Sequence, residues 1–292
     1  MPPEPKSADR NASNEGASFV LHARAKNYHW KGVGPLSIKT FSSGRAYYRV
    51  TGGHHAVDNS TYLVLNHGQS YEISINSRCP VESFCIFFAP ELVNDVQRSL
   101  ISAPEDLLDE PCAGGLASAR FFERTFVHDS ILSPEIARLQ RNHTKIDQEL
   151  LTEKLHTVVE RLFVVHRIAK AEAEQLNAAR PATREELYRR VWRARDYIRA
   201  LSAERLTLQD IARVASLSQN HLLRTFRNAF GVTPHQFLVE TRLQEARRLL
   251  ATSESTVTDI CFQIGFESLG SFSSLFRSRF GVSPTASRHA KR

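Results

Sequence analysis

The chain of 292 residues contains only four cysteines and no long apolar run. Cys79, Cys85, Cys112 and Cys261 form no C-x-x-C pair, lack the paired spacing of structural zinc sites and do not suggest an exported disulfide framework. No stretch approaches the roughly eighteen consecutive apolar residues of a membrane span, and the first residues lack the apolar core of a signal peptide. The sequence therefore predicts a cytoplasmic protein that makes no contact with a membrane.

Acidic side chains are scarce in the last part of the chain. From Arg180 to Arg292 there are 19 Lys and Arg against 10 Asp and Glu, whereas the remainder is slightly acidic and the whole chain has a net charge of +7. A cationic surface gains affinity for a phosphate backbone by releasing counterions. Any single Arg can equally belong to an ordinary solvated helix face, so the charge alone does not assign a nucleic-acid site.

A nine-residue pattern occurs twice in this basic region, and each copy closes a similar segment of about thirty residues. The two copies are Phe226-Arg227-x-x-Phe230-Gly231-x-x-Pro234 and Phe276-Arg277-x-x-Phe280-Gly281-x-x-Pro284. An internal repeat at a fixed spacing predicts two copies of one structural unit.

The first copy of the unit has the pattern of a helix, a turn and a second helix. Thr207 and Asp210 form a capping-box pattern that predicts a helix from Leu208, and Ser218 is placed to cap the second helix. Gly231 is expected to end that second helix. Its buried face is predicted from residues at four-residue spacing, namely Leu222, Phe226 and Phe230.

The second copy repeats these features with Thr256 and Asp259 at the first cap and Ser268 at the second. Its predicted core positions are Phe272, Phe276 and Phe280. Between the two units, residues 234–251 form a predicted helix that is long enough to hold both at a fixed separation.

From about Leu187 to Arg288 the chain resembles the DNA-binding domain of the AraC/XylS transcriptional regulators. The resemblance implies two helix-turn-helix units joined by a long helix, a sequence-specific regulator of double-stranded DNA, a homodimer and a contact with RNA polymerase. Two departures are Cys261, where the family usually has Ala, and Ser287, where an aromatic residue usually precedes the final Arg. The matching residues are Ile211-Ala212, Ser218, Leu222, Arg224-x-Phe226-Arg227, Phe230-Gly231-x-x-Pro234, Arg242-Leu243-x-x-Ala246-x-x-Leu249-Leu250, Ile260, Gly265-Phe266, Phe276-Arg277 and Phe280-Gly281-x-x-Pro284.

The resemblance places base contacts on the outward faces of the two second helices. In the first unit these are Asn220, Leu223 and Arg224, although Leu223 can alternatively pack against the long helix. In the second unit they are Ser273 and Ser274. Their helix lacks long side chains that reach bases, so we expect it to bind phosphates more than it reads sequence. The predicted phosphate contacts are capping hydroxyls and lone cations, namely Ser218, Arg227, Ser268 and Arg277.

The first half of the chain has the pattern of short strands. Apolar runs alternate with turn residues such as Gly52-Gly53 and Asn76-Ser77, which predicts an antiparallel barrel or sandwich. The layout is similar to the cupin-like sensor half of many AraC-type regulators, and Leu65-Asn66-x-Gly68-Gln69-x-Tyr71 matches its turn and next strand. This resemblance implies an effector in the barrel interior. The predicted strand runs are 36–38, 47–50, 62–65, 71–75 and 84–88.

The histidines of this half do not follow the cupin metal pattern. His54 and His55 are adjacent, so on a strand they point to opposite faces, and the accompanying Glu is absent. We therefore expect no metal, no cofactor and no enzymatic activity. Two rival functions remain open: a constitutive architectural or partner-recruiting DNA-binding protein without an effector, and a metal-dependent cupin enzyme tethered to DNA.

Residues 134–177 are predicted to be helical, with a heptad-like seam of apolar side chains. The seam indicates either homodimerisation or packing of the helix against its own barrel. It consists of Leu151, Leu155, Val158, Leu162 and Val165, continued by Ala169.

The predicted fold class is α+β with two domains. A cupin-like antiparallel barrel with helices comes first, and an all-α double helix-turn-helix domain follows. The predicted segments are a disordered tail at 1–16, a cupin-like sensor domain at 17–130, a helical dimerisation or linker region at 131–180, and the DNA-binding domain at 187–292.

Overall fold

The computed structural model describes residues 17–101, 119–176, 178 and 180–289. The predicted disordered tail, residues 1–16, and Cys112 lie outside the described residues. The chain divides into two compact units, the first made of Met1–Thr51 and His55–Gln175 and the second of Gly52–His54 and Leu176–Arg292. We call them the N-terminal unit and the C-terminal unit.

The N-terminal unit contains a nearly closed antiparallel β-barrel, which confirms the predicted α+β class. Its hydrogen-bonded order is β4-β3-β6-β2-β5-β7, and β1 pairs with β6. The strands are β1 (Phe19–Gly34), β2 (Leu36–Ser43), β3 (Arg45–Val50), β4 (Gly53–Asp58), β5 (Thr61–Leu65), β6 (Gln69–Phe88) and β7 (Thr125–Val127).

Strand β6 organises the barrel because it pairs with three other strands. It pairs with β1 over almost its whole length, with β3 near its start and with β2 near its end. The turn predicted at Asn76-Ser77 was wrong, since β6 continues through these residues. Strand β1 was not predicted; polar, charged and glycine residues interrupt its apolar ones, and its side chains are mostly exposed or half-buried.

The barrel interior is an apolar cluster contributed by β2, β3, β4, β5 and β6. Half-buried Tyr28 and Trp30 on β1 pack against it. The buried members are Phe41, Ala46, Tyr48, Val50, Val57, Leu63, Leu65, Tyr71, Ile73, Ile75 and Val81. The predicted Leu65–Tyr71 turn is present, with Gly68 in the left-handed region at φ 77° between β5 and β6.

Three helices of the N-terminal unit lie among the described residues: α1 (Pro90–Ile101), α2 (Ser133–Asn142) and α3 (Gln148–Glu174). The single helix predicted at 134–177 was wrong, because residues 143–147 separate α2 from α3. Asp147 begins α3 by accepting a hydrogen bond from the backbone N–H of Leu150.

The seam of α3 is buried within its own chain. Helix α3 packs on α1 and α2, and the Phe163 ring lies 5.1 Å from that of Phe121. The five seam side chains proposed for dimerisation are covered within their own chain, which favours the alternative of packing within the unit, and dimerisation through them stays a prediction. Their exposed fractions are 9% for Leu151, 0% for Leu155, 1% for Val158, 1% for Leu162 and 7% for Val165.

The C-terminal unit is all-α. Helix α7 takes part in two apolar clusters, one with α4, α5 and α6 and the other with α8 and α9. The helices are α4 (Pro181–Ala200), α5 (Leu208–Val214), α6 (Gln219–Phe230), α7 (Pro234–Thr252), α8 (Val257–Gln263), α9 (Leu269–Phe280) and α10 (Pro284–His289).

The caps predicted in both repeats are present. Thr207 with Asp210 and Thr256 with Asp259 form complete capping boxes at the starts of α5 and α8. Gly231 ends α6 at φ 74°, and Gly281 ends α9 at φ 78°. Because a residue with a Cβ adopts this left-handed region less readily, glycine suits both ends.

Candidate nucleic-acid interface

Helix α6 has one buried and one exposed face. Leu222 and Phe226 are fully buried against α4 and α5, as the four-residue spacing predicts. Asn220, Arg224 and Arg227 are exposed, whereas Leu223 is half-buried. The outward face of α6 is therefore polar and cationic, with one apolar side chain at its edge.

Helix α9 is the matching helix of the second repeat. Phe272 and Phe276 are fully buried. Ser274 and Arg277 are exposed, and Ser273 is half-buried. Its outward face is therefore cationic at Arg277 and otherwise made of small side chains.

The serines at the two helix starts act as N-caps. The Ser218 hydroxyl accepts a hydrogen bond from the backbone N–H of His221 at 3.3 Å, and the Ser268 hydroxyl accepts one from that of Ser271 at 3.4 Å. Both serines are exposed. A hydroxyl that accepts one hydrogen bond can still donate its own hydrogen, so each cap can offer a donor to a phosphate oxygen beside the positive end of a helix.

Three arginines on the outward faces carry unneutralised charge. Within the part of the chain that the structure describes, Arg224, Arg227 and Arg277 have no acidic side chain within ion-pair distance. Other arginines nearby are paired: Arg213 with Asp210 on α5 at 3.2 Å, and Arg248 with Glu245 on α7. The three lone guanidinium groups are therefore the ones best placed to bind an anionic partner.

Helix α7 holds both repeats through polar contacts as well as through its apolar face. Its Arg242 donates hydrogen bonds to the carbonyl oxygens of Ser202 and Glu204, at 2.7 and 2.8 Å, in the segment between α4 and α5. Its Glu240 accepts a bifurcated hydrogen bond from the Nε–H of Arg279 on α9, which lowers the pKa of the Glu240 carboxyl. These contacts tie the segment before α5 and helix α9 to α7.

The roles of Glu240, Arg242 and Arg279 were not predicted. Arg242 belongs to the matched motif, but its spacing along the chain gives no sign that it reaches the carbonyls of residues about 40 positions earlier. The pair between Glu240 and Arg279 joins residues 39 positions apart, which a helical period does not bring together. No local sequence signal identifies such contacts.

A cavity of about 440 Å³ lies at one end of the barrel in the N-terminal unit. Its walls include the aromatic rings of Phe19, Trp30, Tyr71 and Phe87. The ring of Trp30 lies 4.9 Å from that of Tyr71, and the rings of Phe19 and Phe87 are stacked at 4.5 Å. The volume falls in the range of small-molecule sites, and the lining is mainly apolar, with Tyr71, His67 and Glu91 as its polar side chains.

The described residues show neither a metal-binding cluster nor a membrane-spanning helix. No group of three or more His, Cys, Asp or Glu side chains lies close enough together in them to hold a metal ion. None of the helices they form is both long and apolar enough to cross a bilayer. The described cysteines, Cys79, Cys85 and Cys261, are free thiols.

Residues 211–290 match the family described as a helix-turn-helix domain. The chain is 32% identical over 90 residues to the probable transcriptional regulator LumQ of Photobacterium leiognathi. The matched segment covers 31% of this chain and 36% of that protein. It is 39% identical over 89 residues to the HTH-type transcriptional activator RhaS of Escherichia coli O139:H28 (strain E24377A / ETEC), which covers 30% of this chain and 32% of RhaS. The match spans about a third of the length of these relatives.

Solved structures similar to this chain include the DNA-binding domain of the global transcriptional factor AdpA in complex with a target DNA. The identity is 30%, the TM-score is 0.34, and the likeness covers 35% of this chain and 92% of that one.

The C-terminal unit is a DNA-binding domain built from two helix-turn-helix units on a shared helix. Together with the matched sequences, this arrangement identifies residues 211–290 as a helix-turn-helix domain of the AraC type.

Proposed function

We propose that this protein is a sequence-specific DNA-binding regulator of transcription. The observation that carries the proposal is the pair of capped helices, α6 and α9, held on one helix with unneutralised arginines on their outward faces. The two helices enter successive segments of the major groove on one face of the duplex, about one helical turn or 34 Å apart.

Sequence is read mainly by α6 in this proposal. Arg224 can pair bidentately with guanine and Asn220 with adenine, while Leu223 can meet a thymine methyl group. Ser273 and Ser274 contact base edges from α9 with short side chains. Ser218, Arg227, Ser268 and Arg277 contact phosphates and set the register of the domain on the duplex.

The N-terminal unit acts as the sensor of this regulator. Its support is the cavity of about 440 Å³ with an aromatic lining, which is a suitable size for a small effector. An effector changes DNA binding only to the extent that its affinity differs between two states of the protein.

Self-association and contact with RNA polymerase belong to the same proposal. The seam of α3 is buried within one chain, so we assign the dimer surface to no particular residues. Sedimentation of the full chain at several concentrations tests the dimer, and transcription in vitro with purified polymerase tests activation.

The first experiment is genome-wide occupancy of the tagged protein, followed by gel-shift titration of the leading site at stated salt. We expect a compact motif near promoters. We also expect the protein to bind the leading site with an affinity at least a thousandfold higher than its affinity for unrelated DNA. Diffuse, salt-sensitive binding without a motif would instead support the constitutive architectural rival. Metal analysis of the purified protein tests the tethered-enzyme rival.

A further inference from the structure

A lysine lies buried in the barrel of the N-terminal unit. Lys39 projects from the middle of β2 and is 2% exposed. Its Nζ donates a hydrogen bond to the Tyr71 hydroxyl at 3.2 Å and lies 3.7 Å from the centre of the Phe87 ring. Tyr71 and Phe87 both line the cavity, so the ammonium group lies directly behind the cavity wall.

This buried charge has no counterion among residues 17–101 and 119–176, the described part of its unit. Its cross-strand neighbour is Cys85, whose thiol pKa is raised by burial, so the thiol remains neutral and does not balance the ammonium. Burial lowers the pKa of Lys39 to about 8, which leaves most of the lysine protonated at neutral pH. A buried charge without an ionic partner costs stability, so its presence calls for a reason.

Two hydroxyl groups, on Tyr71 and Ser37, donate no hydrogen bond to any described residue. The Tyr71 oxygen accepts from Lys39, and its own hydrogen has no acceptor among the described residues. Ser37 lies two residues before Lys39, on the same face of β2, and pairs across the sheet with Phe87. Its hydroxyl is completely buried and makes no hydrogen bond to any residue that the structure describes. Buried polar groups are usually paired, so the free hydrogen of the Tyr71 hydroxyl, on the cavity wall beside a buried ammonium, is suited to an anionic acceptor.

We propose that the cavity of the N-terminal unit binds a small organic carboxylate, with the Tyr71 hydroxyl donating to the carboxylate, the Lys39 ammonium balancing its charge, and Phe19, Trp30 and Phe87 enclosing an apolar body. The hydrogen bond from Lys39 polarises the Tyr71 hydroxyl and makes it a stronger donor toward the cavity. The carboxylate then lies one hydroxyl away from the ammonium, where their attraction is screened less than in water. The proposal deepens the sensor part of the proposed function, and it rests on that function only for the regulatory consequence.

A binding titration on the full chain, without DNA, tests the site by itself. Trp30 lines the cavity, and the only other tryptophan is Trp192, so a Trp192→Phe background isolates the fluorescence of Trp30. The probes are octanoate and phenylacetate, each compared with its neutral primary amide. We expect both acids to change Trp30 fluorescence saturably, and the amides to bind at least tenfold more weakly.

Variants in the same background test the two residues. Lys39→Met and Tyr71→Phe are expected to weaken acid binding at least tenfold, whereas Lys31→Met, which removes an exposed lysine of β1, leaves it unchanged. Lys39→Met is also expected to raise the melting temperature, because it removes an unbalanced buried charge, and a lysine with a purely structural role would not do so.

Three results would overturn the proposal: neither acid binds saturably, the amides bind as well as the acids, or Lys39→Met retains full affinity. If Lys39→Met does not fold, Tyr71→Phe decides by the same criterion. None of these outcomes bears on the operator motif, so failure of the site and failure of the proposed DNA-binding function are distinguished.

Discussion

Gly265 lies against the guanidinium group of Arg242. A Cβ at Gly265 would lie 2.8 Å from Nη2 of Arg242 and 2.6 Å from the carbonyl oxygen of Ala203, and the glycine has a φ of 90°. The turn of the second repeat therefore closes over the same arginine that bonds the segment before α5. Only a residue without a Cβ allows this approach.

Gly265→Ala is expected to destabilise the C-terminal unit by about 1 to 3 kcal/mol, because it combines a left-handed backbone with two close contacts. The matched control is Gly270→Ala. Gly270 is exposed in the first turn of α9, its nearest neighbour is the Ser268 hydroxyl at 3.7 Å from the added Cβ, and its φ is not left-handed. This control should gain about 0.5 to 1 kcal/mol from helix propensity. Urea unfolding of the full chains measures both, and a Gly265→Ala protein as stable as its parent would contradict the contact.

Arg224→Ala and Arg277→Ala are expected to weaken DNA binding in different ways. Loss of Arg224 removes base readout and should cost about 1 to 3 kcal/mol at particular base pairs, with less effect on unrelated DNA. Loss of Arg277 removes a phosphate contact, so affinity should fall evenly across sequences and the salt slope should decrease by about 1. Gel-shift titrations on an operator and its single-base variants, at several salt concentrations, separate the two patterns.

Arg248→Ala serves as the control for these two variants. Arg248 is already paired with Glu245, so its removal should change the salt slope less than removal of Arg277. Equal, sequence-independent losses in Arg224→Ala and Arg277→Ala would refute the division between base and phosphate contacts.

Lys39→Met is expected to alter how stability depends on pH. The folded-state pKa of Lys39 is about 8, below that of an unfolded lysine. Between these two values the unfolded chain binds more protons, so the parent gains stability as pH rises through this window, by up to about 3 kcal/mol. Lys39→Met lacks that gain, and its stability advantage at pH 7 should shrink by pH 10.

Other titratable groups surround Lys39, and the comparison of the two proteins cancels their effects to first order. Tyr71 and Cys85 on β6, Tyr48 on β3 and Tyr28 on β1 face Lys39 or Cys85, and burial raises the pKa of each. Each of these groups therefore loses its proton at a higher pH than it would when exposed. Urea unfolding at stepped pH measures the difference, and an advantage that does not vary with pH would show that Lys39 is not the titrating group.

Leu155→Ala is expected to destabilise the N-terminal unit by about 2 to 5 kcal/mol without changing the oligomeric state. Leu155 is completely buried in the seam of α3, so its truncation leaves a cavity inside one chain. Glu160→Ala, on an exposed position of the same helix, should have little effect. Sedimentation across a range of concentrations measures the oligomeric state. If Leu155→Ala dissociated a dimer, the seam would be a dimer interface and the prediction would be wrong.

The sequence by itself determined the local structure of the C-terminal unit. Capping boxes, left-handed glycines and the four-residue spacing of phenylalanines act within one helix or one turn, so their residues are neighbours along the chain. The start of α5 at Leu208 and the ends of α6 and α9 were therefore predictable. In the N-terminal half, the apolar runs predicted much of the barrel, since strand patterns are also local.

Only the tertiary structure decided which residues meet across long separations. The same seam pattern on α3 suits a second chain or packing within its own chain, and only the tertiary structure shows that the seam is buried where α3 packs on α1 and α2. Strand β1 mixes apolar with polar and charged residues and is held by pairing with β6, and Asn76-Ser77 lies inside β6 at the point where its pairing with β1 shifts register. A lysine on a strand is expected on the outer surface. The burial of Lys39 follows only from the closure of the barrel around it. These outcomes depend on packing between distant segments, which no local period encodes.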